Sequence, residues 1–322
     1  MKSVRLLWMI VAVVAAGALF LSGCGKQADS TATAGSGLKV VTTMYPVYEF
    51  AKQVAGDKAE VSMLIPPGAE PHDWEPSPKD LARIKTAKLF LYQSAGLEPV
   101  DKLLKPDVLG DAKAVEVSRG IPLMEGPAEE EEADGQEAEH AAKDTHHEHM
   151  DVHVWLDPVA AQQEVDTIVQ ALSEADPQNK AYYEQNGEKF KAELQALDQE
   201  YRTTLANVSS RDIVTSHAAF GYLAKRYNLQ QVAIMGLSPD SEPTPEKMAN
   251  VVQFCREHNV KYIFFETIVS PKLAQTISKE TGAGLLVLNP VESLGEDELK
   301  QGKNYLTVMR ENLVNLKKAL QE

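Results

Sequence analysis

From Leu38 onward, short runs of β-branched and aliphatic residues alternate with amphipathic segments, and they do so in two series on either side of a long stretch without proline. This pattern restricts the fold more than any other feature, because strands that alternate with helical segments build βα units and a mainly parallel sheet. The first series gives candidate strands at Lys39 to Thr43, Ala59 to Ile65, Leu89 to Gln93 and Ala114 to Val117. The second gives Ile213 to Ser216, Gln231 to Met235, Tyr262 to Glu266 and Leu285 to Leu288. The reading is therefore α/β: two (β/α) lobes, each with a mainly parallel four-stranded sheet. Between them, Asp176-Pro177 opens a segment to about Asn207 in which Tyr183, Phe190, Leu194, Leu197, Tyr201 and Leu205 recur at spacings of mostly three and four. Such a helix would run ~45 Å at 1.5 Å per residue, enough to cross a whole lobe, with Gly187 a weak point in its early part. Leu306, Met309, Leu313, Leu316 and Leu320 mark a last helix whose apolar stripe should pack on the second sheet.

The chain begins differently. Lys2 and Arg5 precede an apolar run from Leu6 to Leu21 that falls short of the ~20 residues needed to span a bilayer, so residues 1–23 read as a signal peptide. The tetrapeptide Leu21-Ser22-Gly23-Cys24 resembles a lipobox. That resemblance implies cleavage before Cys24, lipid on its thiol, and an extracytoplasmic protein anchored to the cell membrane. Residues 24–37, rich in Ser, Thr, Ala and Gly, are then a flexible tether. The only other cysteine is Cys255, which leaves no internal disulfide once Cys24 is modified and reads as a small core residue. The formal charge of −15 carries no compensating Lys/Arg block, so nucleic acid is a poor partner and cationic ligands a better one.

Of the eight histidines, His140, His146, His147 and His149 lie in an acidic segment, 125–151, that contains Glu129 to Glu132 and cannot build a core. It should be a long mobile loop, and its imidazoles are candidates for auxiliary, exchangeable metal capture. A merely solvated acidic linker is the alternative. Three other histidines sit beside strand ends or turns. His72 follows the second candidate strand in a proline-stiffened loop that runs into the helix start Ser77-Pro78; His153 lies in Asp151-Val152-His153-Val154-Trp155-Leu156-Asp157-Pro158; His217 ends the strand that begins at Ile213. Ligands of open α/β sheets collect outside the carboxyl ends of strands, where loops of two lobes can converge. Neutral imidazole suits a transition metal, although a lone histidine is more often a hydrogen-bonded cleft or core residue. His258, closing a helix, reads as a favourable C-terminal charge.

The segments Pro71-His72-Asp73-Trp74-Glu75-Pro76-Ser77-Pro78, His153-Val154-Trp155-Leu156-Asp157-Pro158, Ser216-His217-Ala218-Ala219-Phe220-Gly221-Tyr222-Leu223 and Glu280-Thr281-Gly282 resemble those of the metal-specific solute-binding proteins of bacterial ABC importers. The likeness covers nearly all of residues 38 to 322. It is similar in particular to the zinc-binding branch, whose members place an acidic, His-rich loop before the second metal histidine. The resemblance implies an N-terminal lobe at 38–175, one long rigid connecting helix at 176–208 and a C-terminal lobe at 209–322, with a single Zn2+ between the lobes. It implies His72, His153 and His217 as ligands, with the fourth position falling on Glu292 in Leu288-Asn289-Pro290-Val291-Glu292-Ser293-Leu294. Glu266 is a rival for that place and otherwise a partner for a histidine's second ring nitrogen. A membrane permease is the implied partner of a monomeric protein. Manganese or iron is the alternative cargo, but three nitrogens and one oxygen favour zinc.

A zinc hydrolase or lyase belongs to a different class, since an open fourth position can lower the pKa of bound water to about 7. No His-Glu-x-x-His run, Gly-x-Ser-x-Gly turn or phosphate-binding glycine loop is present, so the expectation is a binding protein rather than an enzyme.

Overall fold

A computed structural model describes residues 37–94, 96–126 and 150–321. The first series folds as β1 (Leu38–Thr42), α1 (Tyr45–Ala55), β2 (Ala59–Met63), α2 (Pro78–Thr86), β3 (Leu89–Tyr92), α3 (Val100–Leu103), α4 (Pro106–Leu109) and β4 (Lys113–Glu116). A two-residue antiparallel pair, β5 (Met124–Glu125) and β6 (Met150–Asp151), leads to α5 (Pro158–Ala175) and the long α6 (Lys180–Leu205). The second series comprises β7 (Asp212–Thr215), α7 (Gly221–Tyr227), β8 (Gln230–Ala233), α8 (Pro245–Glu257), β9 (Tyr262–Phe265), α9 (Lys272–Thr281), β10 (Gly284–Val287), α10 (Glu296–Lys300) and α11 (Tyr305–Gln321). Both large sheets are parallel, with orders β2-β1-β3-β4 and β8-β7-β9-β10, so each places its second strand, then its first, third and fourth. The order reverses between β1 and β3 and between β7 and β9, which opens a crevice at the carboxyl end of each sheet.

The strands read as continuous apolar runs because parallel sheets are covered on both faces. Successive side chains point to opposite faces. Val40, Leu89 and Leu91 accordingly enter one core, whereas Val41 and Phe90 enter another beneath α2, α3 and α4. Ile213 and Phe264 join the same core as Val40, while Val214 and Ile263 pack with Cys255 under α8 and α9. One core thus touches both sheets, and α6 threads it through Tyr183, Phe190, Leu194, Leu197, Tyr201 and Leu205. The α11 stripe enters this core too, and Tyr201 donates a hydrogen bond to the Met309 carbonyl at 2.6 Å. The last helix therefore packs on the long helix as well as on β10. Among the described residues no helix is long and apolar enough to cross a membrane.

The expected strands all form, but two of the apolar runs outlast their strands. Leu64 and Ile65 still donate to the carbonyls of Thr42 and Thr43 at 2.9 and 3.0 Å, and Ile234 and Met235 do the same to Thr215 and Ser216. The chain leaves the sheet gradually, so burial continues beyond regular pairing. The long helix also starts later than its pattern suggests. Residues Pro177–Asn179 form a single 3-10 turn, shaped by the Asp176 carboxylate, which accepts from Asn179 Nδ2 and from the Tyr183 hydroxyl. The 26 residues of α6 then span ~39 Å.

Three helices begin on a cap followed by proline: Ser77-Pro78, Asp157-Pro158 and Thr244-Pro245, each with the cap side chain accepting a backbone N–H. Proline costs nothing at that position because its missing N–H has no helical partner there. These stops fix the ends of the loops that carry His72 and His153. Gly187 is not a weak point but a contact: a Cβ there would overlap Val169 Cγ2 of α5. Gly187→Ala is expected to cost about 1–3 kcal/mol through overpacking, read as a lower thermal midpoint. An unchanged midpoint would mean that α5 and α6 can separate freely.

Candidate metal centre

Four segments bring charged side chains to the crevice. His72 sits in the loop between β2 and α2, His153 just after β6, His217 just after β7, and Glu292 just after β10. Local structure fixes each one. The Thr215 hydroxyl and Gln231 Nε2 both donate to the His217 carbonyl, at 2.8 and 3.1 Å. One Asp151 oxygen accepts the His153 backbone N–H and lies 2.9 Å from its Nδ1. Glu266, at the carboxyl end of β9, places Oε1 2.8 Å from His217 Nδ1. A carboxylate on Nδ1 holds the proton there and leaves Nε2 free to present a lone pair.

The three Nε2 atoms converge on Glu292, whose Oε1 lies 3.5 Å from His72, 3.0 Å from His153 and 3.4 Å from His217. One donor atom from each of the four lies within 4.8 Å of all the others. His153, His217 and Glu292 are fully buried, and about a tenth of the His72 side chain is exposed. None of the three Nε2 atoms and neither Glu292 oxygen has a well-formed hydrogen bond. Leaving that many polar atoms dry and unpartnered is costly unless something joins them.

Electrostatics without a cation follow from this crowding. Burial opposes charge on His153, but the Asp151 and Glu292 carboxylates outweigh it and push its pKa up to about 9. Burial likewise opposes charge on His217, and Glu266 and Glu292 override it to raise the pKa well above the usual value. Burial pushes Glu292 upward, yet contact with three imidazoles holds it well below the usual carboxylate range. Glu70, which accepts the His72 backbone N–H at 3.1 Å, is pushed up to about 8 by burial and by the nearby Glu292 charge.

The structure thus brings together His72, His153, His217 and Glu292, whereas Glu266 lies on the far ring nitrogen of His217. His258 lies elsewhere, stacked on Phe254 with Nδ1 2.8 Å from Asp212. Cys24, His140, His146, His147 and His149 lie outside the described residues. Sequence reasoning assigned no role to Asp151 or Glu70. The spacing Asp151-x-His153, typical of a side chain that bonds the backbone two residues on, was the available signal for the first.

Fold and site define a class: two-lobed α/β binding proteins that surround a small solute with loops from two parallel sheets. The family profile of zinc-uptake complex component A, periplasmic (ZnuA), matches residues 40–319, and the chain belongs to that family. It is 46% identical over 319 residues to the high-affinity zinc uptake system protein ZnuA of Bacillus subtilis, covering 97% of this chain and 98% of that one. It is 44% identical over 303 residues to the zinc-binding lipoprotein AdcA of Streptococcus pneumoniae, covering 93% of this chain but 58% of that longer protein. The crystal structure of the Zn(II)-bound ZnuA-like domain of Streptococcus pneumoniae AdcA superposes with a TM-score of 0.73 at 40% identity, covering 89% of this chain and all of that one.

Proposed function

We propose that this chain captures one Zn2+ ion through His72, His153, His217 and Glu292 and delivers it to the membrane permease of an ABC-type importer. The observation that carries this reading is the set of buried, unpartnered donors within 4.8 Å of one another, three imidazole nitrogens and one carboxylate. Four donors with this softness match tetrahedral zinc better than manganese or iron, which favour more oxygen ligands. The ion is cargo rather than a resident cofactor. A shell closed by four protein donors also leaves no position for an activated water, which supports binding without turnover. Membership in an uptake-complex family supports the permease as partner, and the lipobox-like tetrapeptide ending at Cys24 supports a lipid anchor on the outer face of the membrane.

Asp151 and Glu266 act on the far ring nitrogens and hold His153 and His217 ready. Asp151→Asn keeps the acceptor but removes the charge, so zinc affinity should fall about tenfold or more, within the range seen for partners of metal-bound histidine. The deciding experiment is metal titration of the mature chain by calorimetry, with manganese as competitor. One zinc per chain, undisturbed by excess manganese, is the expected result. A stoichiometry of zero, or displacement by equimolar manganese, would defeat the reading. Deleting residues 129–149 should leave one tight site whatever weaker capture the histidines there add.

A further inference from the structure

The backbone just before Glu292 adopts a left-handed conformation at a β-branched residue. Three described residues other than glycine have positive φ: Asn228 at 55°, Asn259 at 53° and Val291 at 59°. Asparagine enters the left-handed region readily, and both of these close a helix or follow its end. Valine does not, because two γ-methyl groups crowd the neighbouring carbonyls, and a β-branched residue there is a genuine outlier. Val291 is also fully buried, so no solvent contact explains its conformation.

Several bonds hold the turn in this state. The Val291 N–H donates to Asn289 Oδ1 at 2.7 Å; the Asn289 N–H donates to Asn312 Oδ1 at 2.8 Å, and Asn312 Nδ2 returns to the Asn289 carbonyl at 2.7 Å. Two further bonds come from the segments that carry His72 and His153, and a third from the segment that carries Glu266. The Gly68 N–H, from the His72 loop, donates to Ser293 Oγ at 2.9 Å. Trp155 Nε1, two residues after His153, donates to the Pro290 carbonyl at 2.8 Å. Thr267, next to the Glu266 that holds His217, accepts from Asn289 Nδ2 at 3.3 Å. The His72 and His153 segments, and the Glu266 segment that holds His217 from behind, are therefore strutted to the turn that presents Glu292. Strain of this kind persists only where the surroundings over-determine it.

We propose that Val291 holds Glu292 against the three imidazoles under backbone strain, so that loosening a strut from the His72, His153 or Glu266 segment lets the turn relax and withdraws the carboxylate from the cation. Val291, Trp155 and Asn289 are positioning residues for release. A permease that shifted the His72 or His153 loop would then need to break one hydrogen bond rather than pull the ion from a rigid cage. The inference rests on the proposed role of Glu292 as a zinc ligand.

The test is the rate at which zinc leaves to a chromophoric chelator in stopped flow, after calorimetry has established one zinc per wild-type chain. Val291→Gly and Val291→Ala both remove the γ-methyl groups, but only glycine adopts positive φ without steric cost. Zinc should leave the glycine variant about tenfold more slowly than the alanine variant, a factor that corresponds to about 1.4 kcal/mol of relieved strain. Equal rates, or faster loss from glycine, overturn the proposal. Trp155→Phe keeps most of the ring but removes the Pro290 bond, and should release zinc about tenfold faster than wild type, by the same conversion. Adding Val291→Gly to Trp155→Phe should restore slow release, because no strain is left to drive withdrawal. A merely structural tryptophan would not be rescued in this way, and failure of rescue sinks the idea. A wild-type chain that binds no zinc would instead defeat the assignment of the site.

Discussion

Glu292→Gln is expected to weaken zinc binding by roughly 10²- to 10³-fold, equivalent to about 3–4 kcal/mol, while leaving the fold intact. Glutamine has the same shape, so the packing around the turn at 289–293 should survive. What it removes is the one negative charge that faces all three Nε2 atoms, at 3.0 to 3.5 Å. A divalent ion in a dry pocket would then be held by three neutral nitrogens and an amide, with its charge uncompensated by a ligand. Asp151 and Glu266 would still act from the far side of two rings, which limits the loss. Calorimetry reads the affinity, and thermal unfolding with and without zinc reads the linked stabilisation, which should shrink in step. A glutamine variant that binds zinc within a few-fold of wild type would remove Glu292 from the ligand set.

The second large effect is with pH, and it runs in opposite directions for affinity and for stability. Zinc must displace protons from imidazoles that neighbouring carboxylates hold tightly: Asp151 and Glu292 push His153 up to about 9, and Glu266 and Glu292 push His217 well above its usual value. Apparent affinity should therefore keep rising with pH to about 9, and binding near neutrality should release on the order of one to two protons. Without metal, the sign reverses. A group whose pKa is raised by folding stabilises the protein fully below its unfolded value, and that contribution is lost as pH rises through its folded value. For His153 the window lies between 6.5 and about 9. Two buried carboxyls act the same way: burial pushes Glu98 up to about 7 and Glu164 up to about 8. Glu292 is lowered, so its contribution stands above the ordinary value of 4.5 and is lost only as pH falls through its folded value. Metal-free protein should thus lose stability from about pH 4.5 as Glu98 and Glu164 ionise, and continue to lose it from 6.5 to about 9 as His153 deprotonates, the range in which zinc affinity climbs. Affinity that stays flat from pH 7 to 9 would contradict the imidazolium network.

Much of the fold was legible because its signals are local. Parallel strands covered on both faces must be apolar throughout, so Val40-Val41 and Leu89-Phe90-Leu91 announce themselves without knowledge of their partners. The α6 stripe is equally plain at 3.6 residues per turn, and the cap-proline pairs mark helix starts by their chemistry alone. The site was legible only in part. Nothing in the spacing of His72, His153, His217 and Glu292 marks them as neighbours, and resemblance to a family, not periodicity, singled them out. Resemblance favoured Glu292 over Glu266, but spacing could not separate them, since both follow strands whose ends face the same crevice. Their side-chain directions separate them: one meets three Nε2 atoms, the other a single Nδ1.

By itself, then, the amino-acid sequence determined the parallel α/β architecture, the long helix and the positions at which loops leave the sheets, because propensity, apolar period and capping act within a few residues. Only the tertiary structure decided that four side chains from four such loops share one buried point, that Asp151 and Glu266 hold the imidazoles from behind, and that Val291 sits in a backbone region valine avoids. Those outcomes depend on how two sheets pack through a common core onto α6. That packing sums contacts between residues as much as 225 positions apart, and no local pattern encodes it.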